Sequence, residues 1–319
     1  MATLTQNMQN IAVAWDVQED PTILVDLVKD SGILQTALVG KASHGIKHKY
    51  KFHNSLPTAY FRSFGEGIAP QKLSTDYASI DLQILEIPVA EDYKMLDEWP
   101  GGKAQWFADN SPALYAGIGN AWATQIIYGT DPTFGNTKGF KGLHQYCKDN
   151  SNVVKQLGGA SGASTSIFAV RWDMMDGCSI RLNRDGSLVN ILDMTPNTPI
   201  PIVQNTTTNA QLDCYKWNVN AYNALVVPSK KSCAVLTQID STHKPTVLDM
   251  NNLVSAIYAS TGVKAIYCNL IGYNFIRELK DAKYNMFQEG NYDNNLGFWG
   301  GVPIVIEENI LSTETSALD

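Results

Sequence analysis

Alternation of apolar and basic residues between Ile46 and His53 predicts a β-strand with one positively charged face. Even-numbered positions carry Ile46, His48, Tyr50 and Phe52, whereas odd-numbered positions carry Lys47, Lys49, Lys51 and His53. Successive side chains of a strand point to opposite faces, so the three lysines share one face. After a polar tip, the stretch STDYASIDLQILEIPV predicts the returning strand, with Ile80, Leu82 and Ile84 on one side. Residues 45–89 are therefore predicted to form a long, exposed hairpin.

Helical spacing of apolar residues predicts a short helix ahead of the hairpin. Asp20 suits the N-cap, Pro21 the first helical position and Gly32 the C-terminal cap. Its apolar residues are Ile23, Leu24, Leu27 and Val28. We expect this helix to follow a polar N-terminal arm.

A longer helix is predicted after the hairpin, with Ser111 as its cap, Pro112 in its first turn and Gly129 at its end. An apolar stripe at i, i+4 spacing is formed by Leu114, Ile118, Trp122 and Ile126. Between Thr130 and Gly162 the sequence is rich in Gly, Asn and Lys, which indicates a loop. No pattern typical of a phosphate-binding loop occurs there or elsewhere.

The second half of the chain changes from strands to mixed structure. Short strands separated by turns predict a β meander over about 165–240. From Thr246, the sequence predicts a helix, the buried strand VKAIYCN, the helix GYNFIRELKD and a final strand in GGVPIVIEENIL. The pattern as a whole predicts an α+β protein without internal repeats.

Charge and composition narrow the classes of function. The chain has 24 Lys and Arg against 31 Asp and Glu, a net charge of -7. Dedicated nucleic-acid and anionic-membrane binders depend on basic charge, so this balance argues against both. The N-terminus lacks the charged start and apolar run of a signal peptide, and no stretch of about 18 apolar residues occurs. Neither secretion nor insertion into a membrane is indicated.

Cysteine and histidine are the residues that could carry chemistry. The cysteines are Cys147, Cys178, Cys214, Cys233 and Cys268, without a C-x-x-C pair. Their odd number and wide spacing favour buried thiols in a reducing compartment over disulfides or a zinc site. His48 and His53 point to opposite faces of the predicted strand and cannot share a metal ion. Cys147 with His144 could form a nucleophile and base, but nothing in the sequence identifies an oxyanion hole. We therefore predict no catalytic, cofactor-binding or metal-binding residues and no enzymatic activity.

Several stretches occur in an order that resembles one protein family. They are NSLPTAYFRSFGEGIAP, then WATQIIYG, then TSIFAVRW, IRLNRDG and YKWNVNAYNALVVP, and finally KAIYCNLIGYNFIREL and GFWGGVPIVIEENIL. In this order they resemble the major capsid proteins of tailed bacteriophages with the Hong Kong 97-type fold, in particular those of podoviruses. The loop containing Gly67 and Pro70 corresponds to the family's extended hairpin loop, and the helix ending at Tyr128 to its spine helix. Lys264 to Asn269 and the final strand correspond to its axial domain.

The resemblance implies how the chain is divided. We expect an N-terminal arm with the short helix at 1–44, the extended hairpin loop at 45–89, a peripheral domain with the spine helix at 90–245, an axial domain at 246–306 and a C-terminal tail at 307–319. In the family's better-known pattern the axial unit precedes the last peripheral strands. Here the strands of about 165–240 precede it, which predicts a circularly permuted strand order. We expect those strands to share a sheet with the spine helix and 246–306 to form a separate lobe.

The resemblance also implies function and partners. It predicts self-assembly into hexamers and pentamers of an icosahedral head that encloses double-stranded DNA without tight specific binding. Assembly would occur in the cytoplasm of a bacterial host, and the protein would reside in the virion. The chain begins almost directly with the arm, so we expect a separate scaffolding protein, together with a portal and a decoration protein. An encapsulin-like compartment shell and a thiol hydrolase are the alternatives.

Residues of the hairpin are the predicted contacts between subunits. These are Lys47, Lys49, Lys51, Arg62 and Glu66. A projecting hairpin cannot bury both faces in its own core. We therefore expect Ile46, Tyr50 and Phe52 to pack on a neighbouring subunit or on the hairpin's base, while the lysines meet acidic groups across the contact. A merely solvated basic face is the competing interpretation.

Overall fold

The computed structural model describes residues 31–53, 57–98, 102–131, 137–183, 186, 189–196, 198–205, 210–279 and 295–315. The short helix predicted from Asp20 lies outside these residues as far as position 30. Gly32, predicted to cap the end of that helix, is instead the first residue of a helix that Ser31 caps. The described helices are α1 (Gly32–Thr36), α2 (Tyr93–Asp97), α3 (Gly102–Tyr128), α4 (Leu143–Asp149), α5 (Val247–Ala256) and α6 (Leu270–Glu278), with a 3₁₀ turn at Lys230–Ser232.

Strands form two sheets and a separate hairpin. In chain order they are β1 (Val39–Lys41), β2 (Lys47–His53), β3 (Thr75–Asp81), β4 (Gln83–Asp92), β5 (Val153–Gln156), β6 (Thr165–Trp172), β7 (Ser179–Leu182), β8 (Asn190–Asp193), β9 (Ile200–Asn205), β10 (Ala210–Val226), β11 (Cys233–Ile239), β12 (Val263–Cys268), β13 (Asn295–Trp299) and β14 (Val302–Ile306). The first sheet contains β1, β4, β7, β8, β9 and β10, and the second has the order β13-β14-β12-β6-β11-β5. Strands β2 and β3 pair only with each other. The predicted α+β class is confirmed.

The first sheet is organised around the 17-residue strand β10. One side of β10 pairs antiparallel with β4, from Cys214 opposite Asp92 to Asn223 opposite Gln83. Its other side pairs in succession with β9, β8 and β7. Helix α3 covers one face of this sheet, where Leu85 and Ile87 pack against the larger hydrophobic core.

The long helix α3 begins earlier than the sequence predicted. It starts at Gly102, so the predicted start at Ser111 and Pro112 is wrong and Pro112 lies inside the helix. Proline has no N–H to donate to the carbonyl four residues before it. The hydroxyl of Ser111 donates to that carbonyl, the oxygen of Ala108, at 3.0 Å. The predicted end is confirmed, because the helix stops at Tyr128 and Gly129 follows with a φ of 69°.

The returning strand of the hairpin is divided in two at Leu82. Strand β3 pairs with β2 over seven residues, from Lys47 opposite Asp81 to His53 opposite Thr75. Leu82 belongs to neither β3 nor β4 and is buried. Beyond it the half-buried positions are odd-numbered, and Ile84 is 58% exposed. The prediction that Ile84 shares a face with Leu82 is therefore wrong, because the strand ladder is interrupted between them.

The second sheet combines strands from both sides of residue 246. Strand β6 pairs with β12 and with β11, and β12 pairs with β14. All eight residues of β6 are buried, because one core cluster lies on each of its faces. The prediction that the strands of 165–240 share one sheet beside the long helix is wrong for β6 and β11. It holds for β7 to β10, which lie in the first sheet.

The region expected to be a loop between Thr130 and Gly162 contains helix α4 and strand β5. The end of α3 and the start of α4 meet through glycines, since a Cβ on Gly129 would lie 2.0 Å from the main-chain nitrogen of Gly142. Larger residues could not occupy either position without separating the two helices. The loop prediction is therefore wrong at 143–149 and 153–156.

The region called the C-terminal tail is packed into the protein as far as it is described. Glu307 is fully buried. One carboxylate oxygen, Oε2, accepts from the Ser31 hydroxyl at 2.5 Å and from the main-chain N–H of Ile33 at 2.8 Å. The other, Oε1, accepts from the main-chain N–H of Asn309 at 3.1 Å and its side-chain amide at 2.6 Å. We call this arrangement the Glu307 clasp.

Glu314 makes a second buried junction. Its carboxylate accepts from the hydroxyl of Tyr128, at the end of α3, at 2.7 Å and from that of Ser166, in β6, at 2.5 Å. The Tyr128 oxygen also accepts from the main-chain N–H of Leu311 at 2.8 Å. Main-chain hydrogen bonds tie Glu314 to Gly162 and to Ser164. This Glu314 junction joins the long helix, the second sheet and the C-terminal segment.

Candidate assembly surface

The basic face predicted on β2 is present and exposed. Lys47, Lys49 and Lys51 lie opposite Asp81, Ser79 and Tyr77 of β3, respectively, and all six residues are exposed. The Lys47 ammonium lies 3.2 Å from the Asp81 carboxylate, and that of Lys51 lies 5.3 Å from the centre of the Tyr77 ring. Lys49 has neither kind of partner among the described residues. The three lysines thus share a face, on which Lys47 is paired with a carboxylate of the hairpin and Lys51 lies over an aromatic ring.

The opposite face of β2 turns toward the first sheet. His48 is 9% exposed, and its Nδ1 accepts from the main-chain N–H of Ser43 at 3.3 Å. Burial, together with the nearby guanidinium of Arg181, lowers the pKa of His48 to about 4. The imidazole is therefore neutral at pH 7 and is part of the packing at the hairpin base. Ile46 is 67% exposed and does not pack on the hairpin base, so of the two expected positions only a contact with a neighbouring subunit is left for it.

Arg62 and Glu66 meet in a turn at the hairpin tip, away from the lysines. The Arg62 guanidinium donates to the main-chain oxygen of Glu66 at 2.9 Å, and the Glu66 carboxylate accepts from the N–H of Ser63 at 3.0 Å. Gly65, with a φ of 87°, supplies the backbone conformation that the turn requires. At the neck of the tip, the amide side chain of Gln71 bonds both main-chain groups of Thr58. These contacts give the tip a defined shape.

Aromatic side chains of the tip are exposed to solvent, which the sequence analysis missed. Phe61 and Phe64 have relative exposures of 108% and 111%. Other exposed apolar residues of the tip are Tyr60, Ile68 and Leu73. Exposed apolar groups of this density mark surfaces that bind another macromolecule. The signal was available in AYFRSFGEG, where aromatic residues flank charged ones in a stretch without strand periodicity.

The cysteine and histidine that could form a nucleophile and base are both buried. Cys147 and His144 lie on α4 and are 0% and 1% exposed. Burial raises the pKa of the Cys147 thiol well above its usual value and lowers that of His144 to about 4. A protonated, enclosed thiol cannot act as the nucleophile of a hydrolase. The geometry therefore opposes this alternative.

The described part of the chain holds neither a candidate metal site nor a helix that could cross a membrane. No group of three or more His, Cys, Asp or Glu side chains in this part could hold a metal ion. Among the same residues, no helix has the length and apolar character needed to cross a membrane.

Comparison with known families decides between the remaining interpretations. The family described as Major capsid protein GP7 matches residues 18–317. The chain belongs to this family. Members of the GP7 family are shell-forming proteins, so the match supports a structural protein of a tailed phage and gives no support to the encapsulin-like alternative. No curated protein matches the sequence.

Solved structures agree with membership of the GP7 major capsid family. A chain from the structure of bacteriophage Epsilon15 is 18% identical, with a TM-score of 0.60 and full coverage of both chains. A chain from the bacteriophage JBD30 capsid is 12% identical, with a TM-score of 0.50, and the match covers 89% of this chain and 92% of that one. At these identities the similarity concerns the fold, and it confirms the Hong Kong 97-type fold.

Thiol reactivity provides a simple test of the packing in this capsid protein. All five cysteines are buried, so we expect none of them to react with Ellman's reagent within minutes in the native protein. All five should react in denaturant. A Ser255→Cys variant, which adds a thiol on the exposed side of α5, should react at once. Rapid labelling of a native cysteine would contradict the packing.

Proposed function

We propose that copies of this chain assemble as hexamers and pentamers into the closed icosahedral head of a tailed phage, around double-stranded DNA, and that the chain has no catalytic role. The observation that carries the proposal is the hairpin, which presents charged and aromatic side chains that a single subunit leaves exposed. Membership of a major capsid protein family is the supporting context.

The hairpin is proposed to be the main contact between neighbouring subunits. Its β2 face would use Lys47, Lys49 and Lys51, and its tip would use Arg62 and Glu66 beside the aromatic residues. Individual exposed ion pairs contribute only about 0 to 1 kcal/mol each. A closed shell repeats the same contact in every copy, so many weak contacts together stabilise the assembly.

Further partners follow from the same proposal. A separate scaffolding protein, a portal and a decoration protein would complete the head, and assembly would take place in the bacterial cytoplasm. The chain's acidic net charge of -7 favours weak, non-specific contact with the packaged DNA, because tight phosphate binding requires clustered Lys and Arg.

Assembly is tested directly on purified protein. We expect sedimentation and negative-stain electron microscopy to show pentamers, hexamers or closed shells as protein concentration and ionic strength are varied. A chain that stays monomeric throughout this range, also when a crowding agent is added, would contradict the proposal.

Neutralising the basic face is expected to weaken assembly without unfolding the subunit. We choose Lys47→Gln, Lys49→Gln and Lys51→Gln together, because glutamate at position 47 would face Asp81 and disturb the hairpin itself. Loss of three contacts of about 0.5 kcal/mol each amounts to about tenfold weaker association at each seam. Particle yield should fall steeply while circular dichroism matches the parent.

A control variant with the same net charge as the β2 triple variant shows whether a loss of assembly comes from the β2 face or from the change in net charge. Lys148, Lys230 and Lys231 are exposed and lie outside the hairpin, so their replacement by glutamine should leave particle yield near the parental value. Equal particle yields from the two triple variants would contradict the prediction and would show that the β2 lysines are only a solvated face.

A further inference from the structure

The hairpin is joined to the rest of the subunit by a small apolar contact. At its base, Ile80 and Leu82 pack with Ala42, which follows β1, and with Tyr222 and Ala224 of β10. Strands β2 and β3 pair only with each other, so no strand ladder continues from the hairpin into the first sheet. The position of the hairpin therefore depends on a few side chains at its base.

His48 lies at this base, on the buried face of β2. Its Nδ1 accepts from the main-chain N–H of Ser43, so this ring nitrogen carries no proton and the ring is neutral. The ring stacks on that of Tyr50, with ring centres 6.2 Å apart. Besides burial, the charges of Arg181 in β7 and of His44 oppose the binding of a proton to His48. Every charge named here has the same sign.

The guanidinium of Arg181 is held in place beside His48 without a balancing carboxylate. Its Nη2 donates to the main-chain oxygen of Met174 at 3.0 Å, and a Cβ on Gly40 would lie 2.7 Å from its Nη1. Arg181 forms no ion pair within the described part of the chain, and burial lowers its pKa. The carboxylate of Asp81 pairs with Lys47 on the opposite face of the hairpin. A second positive charge at His48 would therefore be uncompensated.

We propose that a proton on His48 releases the hairpin from the first sheet. Both nitrogens of a protonated imidazole are donors, so the ring could no longer accept from Ser43. It would also stand beside the fixed guanidinium of Arg181. Residues 42–46 and Leu82 connect the hairpin to the first sheet, and we call them the hairpin hinge. The inference goes beyond the proposed function and holds for a single subunit, because all of these groups belong to one chain.

The pH range of the release follows from the two states of His48. In the docked hairpin its pKa is about 4, whereas the ordinary value of 6.5 applies once the ring is in water. The docked state binds the proton less readily, so its stability is complete above about pH 6.5 and is lost as the pH falls to about 4. The equilibrium constant for detachment should rise by up to about 300-fold over this range.

Thiol labelling of the hairpin hinge tests the release. Ala42 is buried against the hairpin base, so the thiol of an Ala42→Cys variant should react only when the hairpin detaches. Dithiodipyridine, which also reacts with thiols in acid, is the reagent, and each rate is divided by that of the exposed Ser255→Cys variant at the same pH. We expect this ratio to rise by up to about 300-fold from pH 7 to pH 4.

Two histidine variants, each combined with Ala42→Cys, assign the effect. His48→Gln stays neutral and should make the ratio nearly independent of pH. His44→Gln replaces the neighbouring, exposed histidine and should keep most of the rise. Hydrogen exchange at the main-chain N–H of Ser43, compared between the parent and His48→Gln at each pH, measures the same release without a new cysteine.

The outcomes either support the hinge or overturn it. A rise with pH that depends on His48, while the buried native cysteines stay unreactive, supports detachment of the hairpin alone. A ratio that does not change with pH overturns the inference, as does an equal rise in the His48→Gln variant. Labelling of the native cysteines over the same range would also overturn it, because the whole subunit would then be unfolding. Assembly at neutral pH is tested separately, so failure here leaves the proposed function intact.

Discussion

Replacing Glu307 with alanine is expected to lower the free energy of unfolding by about 2–5 kcal/mol. The substitution removes the acceptor of the Ile33 and Asn309 main-chain N–H groups in the fully buried Glu307 clasp. Each buried donor left without a partner costs about 1–3 kcal/mol. It also removes the partner of the Ser31 hydroxyl. Urea unfolding of the purified subunit, followed by tryptophan fluorescence, measures the change.

Two matched variants show whether the loss comes from the clasp. Glu308 is the next residue and is exposed, so Glu308→Ala should change stability by less than about 0.5 kcal/mol. Glu307→Gln keeps one acceptor oxygen and should lie between the two. A Glu307→Ala variant as stable as Glu308→Ala would show that the clasp contributes nothing.

Replacing Glu314 with glutamine is expected to stabilise the subunit above pH 7 and to have little effect below pH 4.5. Burial is the main cause that raises the pKa of Glu314 from 4.5 to about 7, although the Ser166 and Tyr128 hydroxyls act in the opposite direction. The folded chain then holds this proton more tightly than the unfolded chain. Stability from the protonated group is present below pH 4.5 and is lost as the pH rises to about 7.

The size of the effect follows from the two pKa values. The difference between 4.5 and about 7 corresponds to about 3 kcal/mol. Unfolding of parent and variant at pH 5 and pH 8 should therefore give a difference that grows with pH in favour of glutamine. A difference independent of pH, or one that favours the parent at pH 8, would contradict this role.

Other titratable groups around the Glu314 junction do not reverse the sign. Tyr128 faces the carboxylate from α3, and burial raises its pKa well above the usual value. His144 lies beyond it on α4, with ring centres 6.0 Å apart, and burial lowers its pKa to about 4. Both are neutral between pH 5 and 8. No Lys or Arg ion pair with Glu314 occurs in the described part of the chain.

Local pattern predicted many elements of this fold, and the errors came both from local irregularities and from strand pairing at long range. The spacing of apolar residues correctly predicted β2, α5, β12 and α6, since each is determined by its own periodicity. Alternation cannot show which strands are neighbours, so β6 was placed in the wrong sheet. The start of α3 was missed because Pro112 normally marks a first turn, whereas here the Ser111 hydroxyl replaces the missing donor.

The candidate contact surface could be predicted only in part from the sequence. Period-two spacing placed Lys47, Lys49 and Lys51 on one face, and this required no tertiary information. The exposure of Phe61 and Phe64 was missed because aromatic residues are more often buried, although the charged residues beside them in AYFRSFGEG indicated it.

The Glu307 clasp has a consequence for synthesis of the protein on the ribosome. Ser31 and Glu307 are 276 residues apart in sequence, and β14 lies between β12 and β13 in the second sheet. A nascent chain can complete neither the clasp nor the sheet until its final segment has been translated. We expect incomplete chains to remain sensitive to protease at the second sheet, so that only full-length subunits become competent to join a growing shell.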